Sequence, residues 1–321
     1  MNLDFLTQPV TSALTRRLVL VSILPTAAAA AFLLTLRWAG APGPVRFSRA
    51  WRTAEYLATG EVLSLLLVVL LAGLVTMPLQ LPLVRWLEGY WPRRLAWLST
   101  RCVARQKRRR DAVGARPVPD TLTPADARHL AQRMGEHGER QRARFPVRDE
   151  LLRPTALGNA LTAVEARAGR RYGLDAVVVW TRLEPLLGDR IAARVAERRT
   201  SMDAAARLSV TAALCAPLSG WLLWRSGWWL LLAAALLAAS RIAYTAAVHA
   251  AIEYGESVAA AFDLHRFDLL TALHLPLPAD LDEERAANRA LSTLWRQGDT
   301  RDHPFRYEHP DPVGPDDRRT P

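Results

Sequence analysis

Cysteine is close to absent from this chain: Cys102 and Cys215 are the only thiols in 321 residues. Two cysteines so differently placed exclude a disulfide framework and suit a reducing compartment. No Cys/His spacing of a structural zinc site occurs. Lysine is rarer still, with Lys107 alone, so the basic excess is almost entirely arginine. A glycine-rich phosphate loop, a nucleophile elbow, a His-Glu zinc helix and a Cys-His pair are all missing. The chain therefore reads as a non-enzyme without a cofactor.

What is present is segregated. Residues 85–206 carry 25 Arg or Lys against 14 Asp or Glu, which accounts for the whole net charge of +11. The apolar residues gather into four blocks. The first runs from Leu18 to Trp38 and the second from Glu61 to Val84. Each holds about 20 apolar residues, the length a bilayer core demands. The third and fourth, "LSVTAALCAPLSGWLLW" and "WWLLLAAALLAASRIAYTAAVHA", are separated only by Arg225, Ser226 and Gly227, which predicts a tight helical hairpin. Trp221, Trp224, Trp228 and Trp229 surround that turn, and indole rings favour the headgroup level, so with Arg225 they form a membrane-interface set.

Orientation follows from the arginines. Arg16 and Arg17 precede the first block, and Arg85, Arg93, Arg94, Arg101 and "RQKRRR" (105–110) follow the second. The positive-inside rule then puts both termini and residues 85–206 in the cytoplasm of a multi-pass plasma-membrane protein. "TRRLVLV" faintly resembles a twin-arginine export signal, but the apolar stretch is long and further spans follow. The expected layout is an all-α, polytopic protein with two transmembrane hairpins and a helical cytoplasmic module. Its parts are a cytoplasmic N-terminus (1–17), a first hairpin (18–84), a basic helical module (85–206), a second hairpin (207–250), C-terminal cytoplasmic helices (251–296) and a disordered tail (297–321).

Inside the basic module, "RWLEGYWPRRLAWLSTRCVARQKRRR" predicts an amphipathic helix on the membrane surface, with Trp86, Tyr90, Trp91 and Trp97 among anionic lipid headgroups. A nucleic-acid role for its basic run lacks a binding fold around it. Thr123, Pro124 and Asp126 signal the start of a helix with scarcely any apolar face. Leu157, Leu161 and Val164 recur at helical spacing, and that helix should end near Gly169. Asp175 can cap the next, in which Val179, Leu183 and Leu186 line a stripe broadened by Ala176, Trp180 and Leu187. A buried strand at "AVVVW" is the competing reading. Pro185 should break the helix, and another should start near Asp189.

Four segments carry a resemblance: "PTALGN" (154–159), "YGLD" (172–175), "WTRL" (180–183) and "AFDL" (261–264). Over residues 150–278 the chain resembles an uncharacterised family of bacterial four-span integral membrane proteins that share Pro-Thr-x-Leu-Gly-Asn, Tyr-Gly-x-Asp, Trp-x-Arg-Leu and Ala-Phe-Asp-Leu segments. It departs from that pattern at Ala156, where an arginine is expected, and at Thr181, where a proline is expected. The resemblance implies an architecture and no activity.

Few residues offer chemistry. Asn159, Glu165, Asp175, Trp180 and Arg182 are candidate ligand or partner contacts. His249, Glu253 and Glu256 fall on one helical face that can hold a metal cation or pair with Arg198, Arg199 or Arg207. His265 and Asp268 lie further along the same helix, with Phe262, Phe267 and Leu270 as its packing residues. The expected partners are the bilayer, its anionic headgroups, an unidentified cytoplasmic protein and a second copy of the chain, but no nucleic acid. The functional expectation is an anchored interaction or sensing component. A homo-oligomeric channel or transporter, with Gly73 and Ala233–Ala235 at helix contacts, is the alternative, and a membrane-associated enzyme the least supported.

Overall fold

The computed structural model describes residues 24–114, 124–298 and 305–309, and within these the side chains of 72–81, 113, 114, 124–128, 130 and 137 are not described. The N-terminal segment expected in the cytoplasm, the start of the first block, the Thr123 cap and most of the tail lie outside the described residues. The α-helices are α1 (Leu24–Trp38), α2 (Phe47–Glu55), α3 (Thr59–Leu87), α4 (Ala96–Gly114), α5 (Pro124–Arg144), α6 (Ala156–Arg167), α7 (Ala176–Leu183), α8 (Asp189–Leu223), α9 (Leu230–Ala272) and α10 (Leu281–Gln297). Among the described residues there is no strand. The "AVVVW" stretch is helical, because Asp175 Oδ1 accepts from the Val177 N–H at 3.1 Å and so caps α7. The α7 helix ends at Leu183, one residue ahead of a 3₁₀ turn that contains Pro185.

Among the described residues two helices, Asp189–Leu223 and Gly227–Ala272 with its opening 3₁₀ turn, are long and apolar enough to cross a membrane. The short α2 was not expected. It carries Arg49, Arg52 and Glu55 and meets the start of α3 at 114°. Glu61 accepts from the Ala58 N–H at 3.0 Å where α3 begins. The amphipathic helix expected from Arg85 onward is broken: α3 stops at Leu87, and α4 starts only at Ala96. Gly89 turns the chain with φ at +89°, and Pro92 offers no N–H to continue a helix.

The chain forms two compact units, one of Met1–Thr162 with Ala196–Tyr254, the other of Ala163–Val195 with Gly255–Pro321. In the first, Leu157 and Ala160 of α6 pack with Met202 and Ala206 of α8 and with Ala247 and Ala251 of α9. A second cluster joins Leu36, Ala41 and Leu223, flanked by Phe32, Val45 and Trp229. Small side chains let α8 and α9 approach closely: Ala212, Cys215, Ala216, Ala243 and Ala247 are all buried. Two serines staple the pair, since the Ser209 hydroxyl donates to the Ser240 carbonyl at 3.0 Å and Ser240 returns the bond to Ser209 at 2.9 Å. The large aliphatics point the other way. Leu63, Leu66 and Leu67 of α3, Leu214 and Leu218 of α8, and Leu231 and Leu237 of α9 are exposed.

In the second unit Val179 and Leu183 of α7 are fully buried with Phe262. Leu270, Leu275 and Leu291 form its other cluster, with Trp295 and Phe305 against them. Gly169 has φ at +69°, and a Cβ there would press on Leu174 and the Phe262 ring. Phe262 and Leu270 pack as expected; Phe267 does not, being 37% exposed beneath the Arg266 guanidinium.

Candidate functional site

The motif residues of the second unit are held by one another. Asp175, besides capping α7, is an ion-pair partner of Arg296, and its backbone N–H donates to Ser292 Oγ at 3.1 Å. Trp180 faces Phe262 with ring centroids 6.1 Å apart, and the Arg182 guanidinium stacks 4.5 Å over Trp295. Tyr172 takes Arg266 over its ring at 4.2 Å, and its carbonyl accepts from Asn288 Nδ2 at 2.9 Å. Burial first, and the Asp263 carboxylate second, push the Tyr172 phenol above its ordinary pKa. Arg266 Nε also donates to Glu284 Oε1 at 2.8 Å, and the Glu284 side chain is almost fully buried. This set ties α7 and α10 to the end of α9. Glu165 stands exposed on α6.

In the first unit the face proposed for a metal is occupied by guanidinium groups. Arg198 forms an ion pair with Glu253. Arg144 Nη2 lies 3.2 Å from His249 Nε2, so it donates to the lone pair that a metal would require. Glu256 is exposed, and no group of three His, Cys, Asp or Glu among the described residues is arranged to hold a metal ion. Between α4 and the 149–151 turn, Asp149 bridges Lys107 at 2.5 Å and Arg110 at 2.7 Å. The hydrogen bonds from Lys107 and then Arg110 hold the Asp149 carboxyl below its ordinary pKa.

Asn159 is the one buried asparagine of the Pro-Thr-Ala-Leu-Gly-Asn segment. It is fully buried, accepts the Arg153 N–H at 2.7 Å, and donates to the Arg153 carbonyl at 3.0 Å. It is a clamp on its own chain and has no side-chain atom free for a ligand in this geometry. Tyr244 was missed by sequence reasoning: its hydroxyl accepts the N–H groups of Ala156 and Leu157 at 3.0 and 3.2 Å, satisfying the start of α6. A lone tyrosine in an alanine-rich block was the available signal.

At the hairpin tip Trp221, Trp224 and Trp228 are exposed, with Arg225 5.8 Å over Trp224. Trp229 instead turns inward, edge-on to Phe47 at 4.8 Å. No protein-family model, curated protein or solved structure matches the chain.

Proposed function

We propose that this chain is a four-span protein of the bacterial inner membrane, with both termini and the arginine-rich helices of residues 85–206 on the cytoplasmic side, and that it anchors a soluble partner at the inner leaflet. Membership of the uncharacterised four-span family is part of the same reading. The observation that carries it is the division of side chains on α3, α8 and α9. Between residues 209 and 251 the buried side chains of α8 and α9 are alanine, serine and Cys215 apart from Leu223, while Leu214, Leu218, Leu231 and Leu237 face outward, as do Leu63, Leu66 and Leu67 of α3, an arrangement suited to lipid and costly in water. Beyond this apolar region the exposed Arg101, Arg105, Arg108 and Arg109 of α4 supply a surface for acidic groups.

Crosslinking in intact bacteria, followed by gentle solubilisation through a tag, should recover one cytoplasmic protein in stoichiometric amount. Recovery of the chain alone would remove the docking reading. Labelling of Cys102 by a membrane-impermeant thiol reagent in unpermeabilised cells, with Cys215 removed, would invert the orientation.

A further inference from the structure

Where α3 ends, an open cleft of about 570 Å³ is walled by the 85–92 turn, the start of α4 and the strap Leu152–Pro154. Its volume lies within the range of ligand clefts, roughly 300–1,000 Å³. Two guanidinium groups line it, Arg85 and Arg153, and neither enters an ion pair among the described residues. The Arg153 guanidinium is held 4.6 Å over the Tyr90 ring, which aligns its fork while leaving its N–H edges unpaired by any carboxylate. The Ser99 hydroxyl lines the cleft as well, and Pro82, Val103 and Leu152 make its apolar wall.

The walls are fixed. Asn159 clamps both backbone groups of Arg153. A Cβ on Gly89 would meet Pro154 at 2.9 Å, and a Cβ on Gly158 would run into the Glu88 carbonyl, so the strap and the turn approach as closely as glycine permits. The Pro-Thr-Ala-Leu-Gly-Asn segment therefore reads as the framework that holds Arg153 in the cleft that Arg85 also lines. Trp86, Tyr90 and Trp97 stand about half exposed beside this cleft at the end of an apolar helix, and Arg101 covers Trp97 at 5.2 Å. Indoles and phenols with arginines at the end of a span mark headgroup depth.

We propose that this cleft binds the phosphodiester headgroup of one anionic phospholipid, with Arg85 and Arg153 donating to the phosphate and the apolar wall meeting the glycerol and first acyl carbons. The proposal rests on the membrane placement proposed above. Both kinds of headgroup carry the same phosphodiester, so selection rests on net charge: two guanidinium groups free of carboxylates favour a headgroup of net negative charge and repel the trimethylammonium of a zwitterionic one, while each charge-assisted donor to the phosphate adds roughly tenfold or more to retention.

The test is native mass spectrometry of the full chain released from detergent, titrated with phosphatidylglycerol or phosphatidylcholine. The wild type should retain one phosphatidylglycerol in preference to phosphatidylcholine. Arg85→Gln and Arg153→Gln should each weaken that retention about tenfold, Arg153→Lys less, and Arg289→Gln on α10 not at all. Undiminished retention by the Arg85→Gln/Arg153→Gln double variant overturns the proposal. Complete displacement of the lipid by millimolar glycerol phosphate overturns the lipid as occupant in favour of a soluble phosphate compound. Alkaline carbonate extraction separates the two readings. A wild-type chain that leaves the membrane fraction sinks the placement and the cleft together, whereas one that stays there without headgroup preference sinks only the cleft.

Discussion

Replacing Asn159 with alanine removes the single side chain that satisfies both backbone groups of Arg153 in a fully buried position. Each buried group left unpaired costs about 1–3 kcal/mol. Alanine recovers about 0.5 kcal/mol in helix propensity, so the net loss over the two groups is about 1.5–5.5 kcal/mol. At about 2–4 °C per kcal/mol, the thermal midpoint in detergent should fall by roughly 3–20 °C, read by tryptophan fluorescence. Asn159→Asp sharpens the reasoning. Its carboxylate still accepts from the Arg153 N–H but faces the Arg153 carbonyl with a second acceptor, so its pKa should rise. A raised carboxyl pKa destabilises the fold at neutral pH and relieves it as pH falls through that value, when the protonated oxygen can donate. The aspartate variant should therefore gain stability on mild acidification relative to the wild type. A midpoint for Asn159→Ala within about 1 °C of the wild type, or an aspartate variant insensitive to pH, would refute the clamp.

Three further outcomes are expected. Arg266→Ala strands the buried Glu284 carboxylate and should cost about 3–5 kcal/mol, more than Glu284→Gln, which keeps an acceptor for Arg266; comparing their unfolding midpoints checks this. Gly158→Ala should destabilise by about 1–3 kcal/mol because its Cβ meets the Glu88 backbone, whereas Gly135→Ala, with nothing within 4 Å, should stabilise by about 0.5–1 kcal/mol; equal signs for the two would contradict the close approach. Asp149 is held below its ordinary pKa by Lys107 and Arg110, so its contribution is present above the ordinary carboxylate range and disappears as pH falls through the lowered folded value. The midpoint difference between wild type and Asp149→Asn should accordingly vanish in acid, and a difference unchanged across the titration would count against the bridge.

Much of the helical fold was legible because its signals are local. Asp175, Gly169 and Pro185 act within a turn of where they sit, and alanine-rich runs around a three-residue linker announce a hairpin. The residues hardest to read were those whose partners lie beyond one helical turn. Asn159 clamps Arg153 six positions back across a bend that no periodicity announces, and Tyr244 reaches residues 87 and 88 positions earlier. Helical spacing lines up His249 and Glu253, and of the two readings that face offered, metal or arginine pairing, the structure shows Arg198 at Glu253 and Arg144 at His249, both arriving from other helices. The short α2 was illegible because three charges in nine residues hide how its Phe47 is used.

That use has a consequence for how the chain is made. Phe47 and Leu36 find Trp229 and Leu223 only after some 180 more residues have left the ribosome, and Gly43 waits as long for the Ser226 hydroxyl. At about 5–20 residues per second this is roughly 10–40 s. For that interval α1 and α2 lack the partners that cover them, and Leu36 stays uncovered until residues 223–229 emerge.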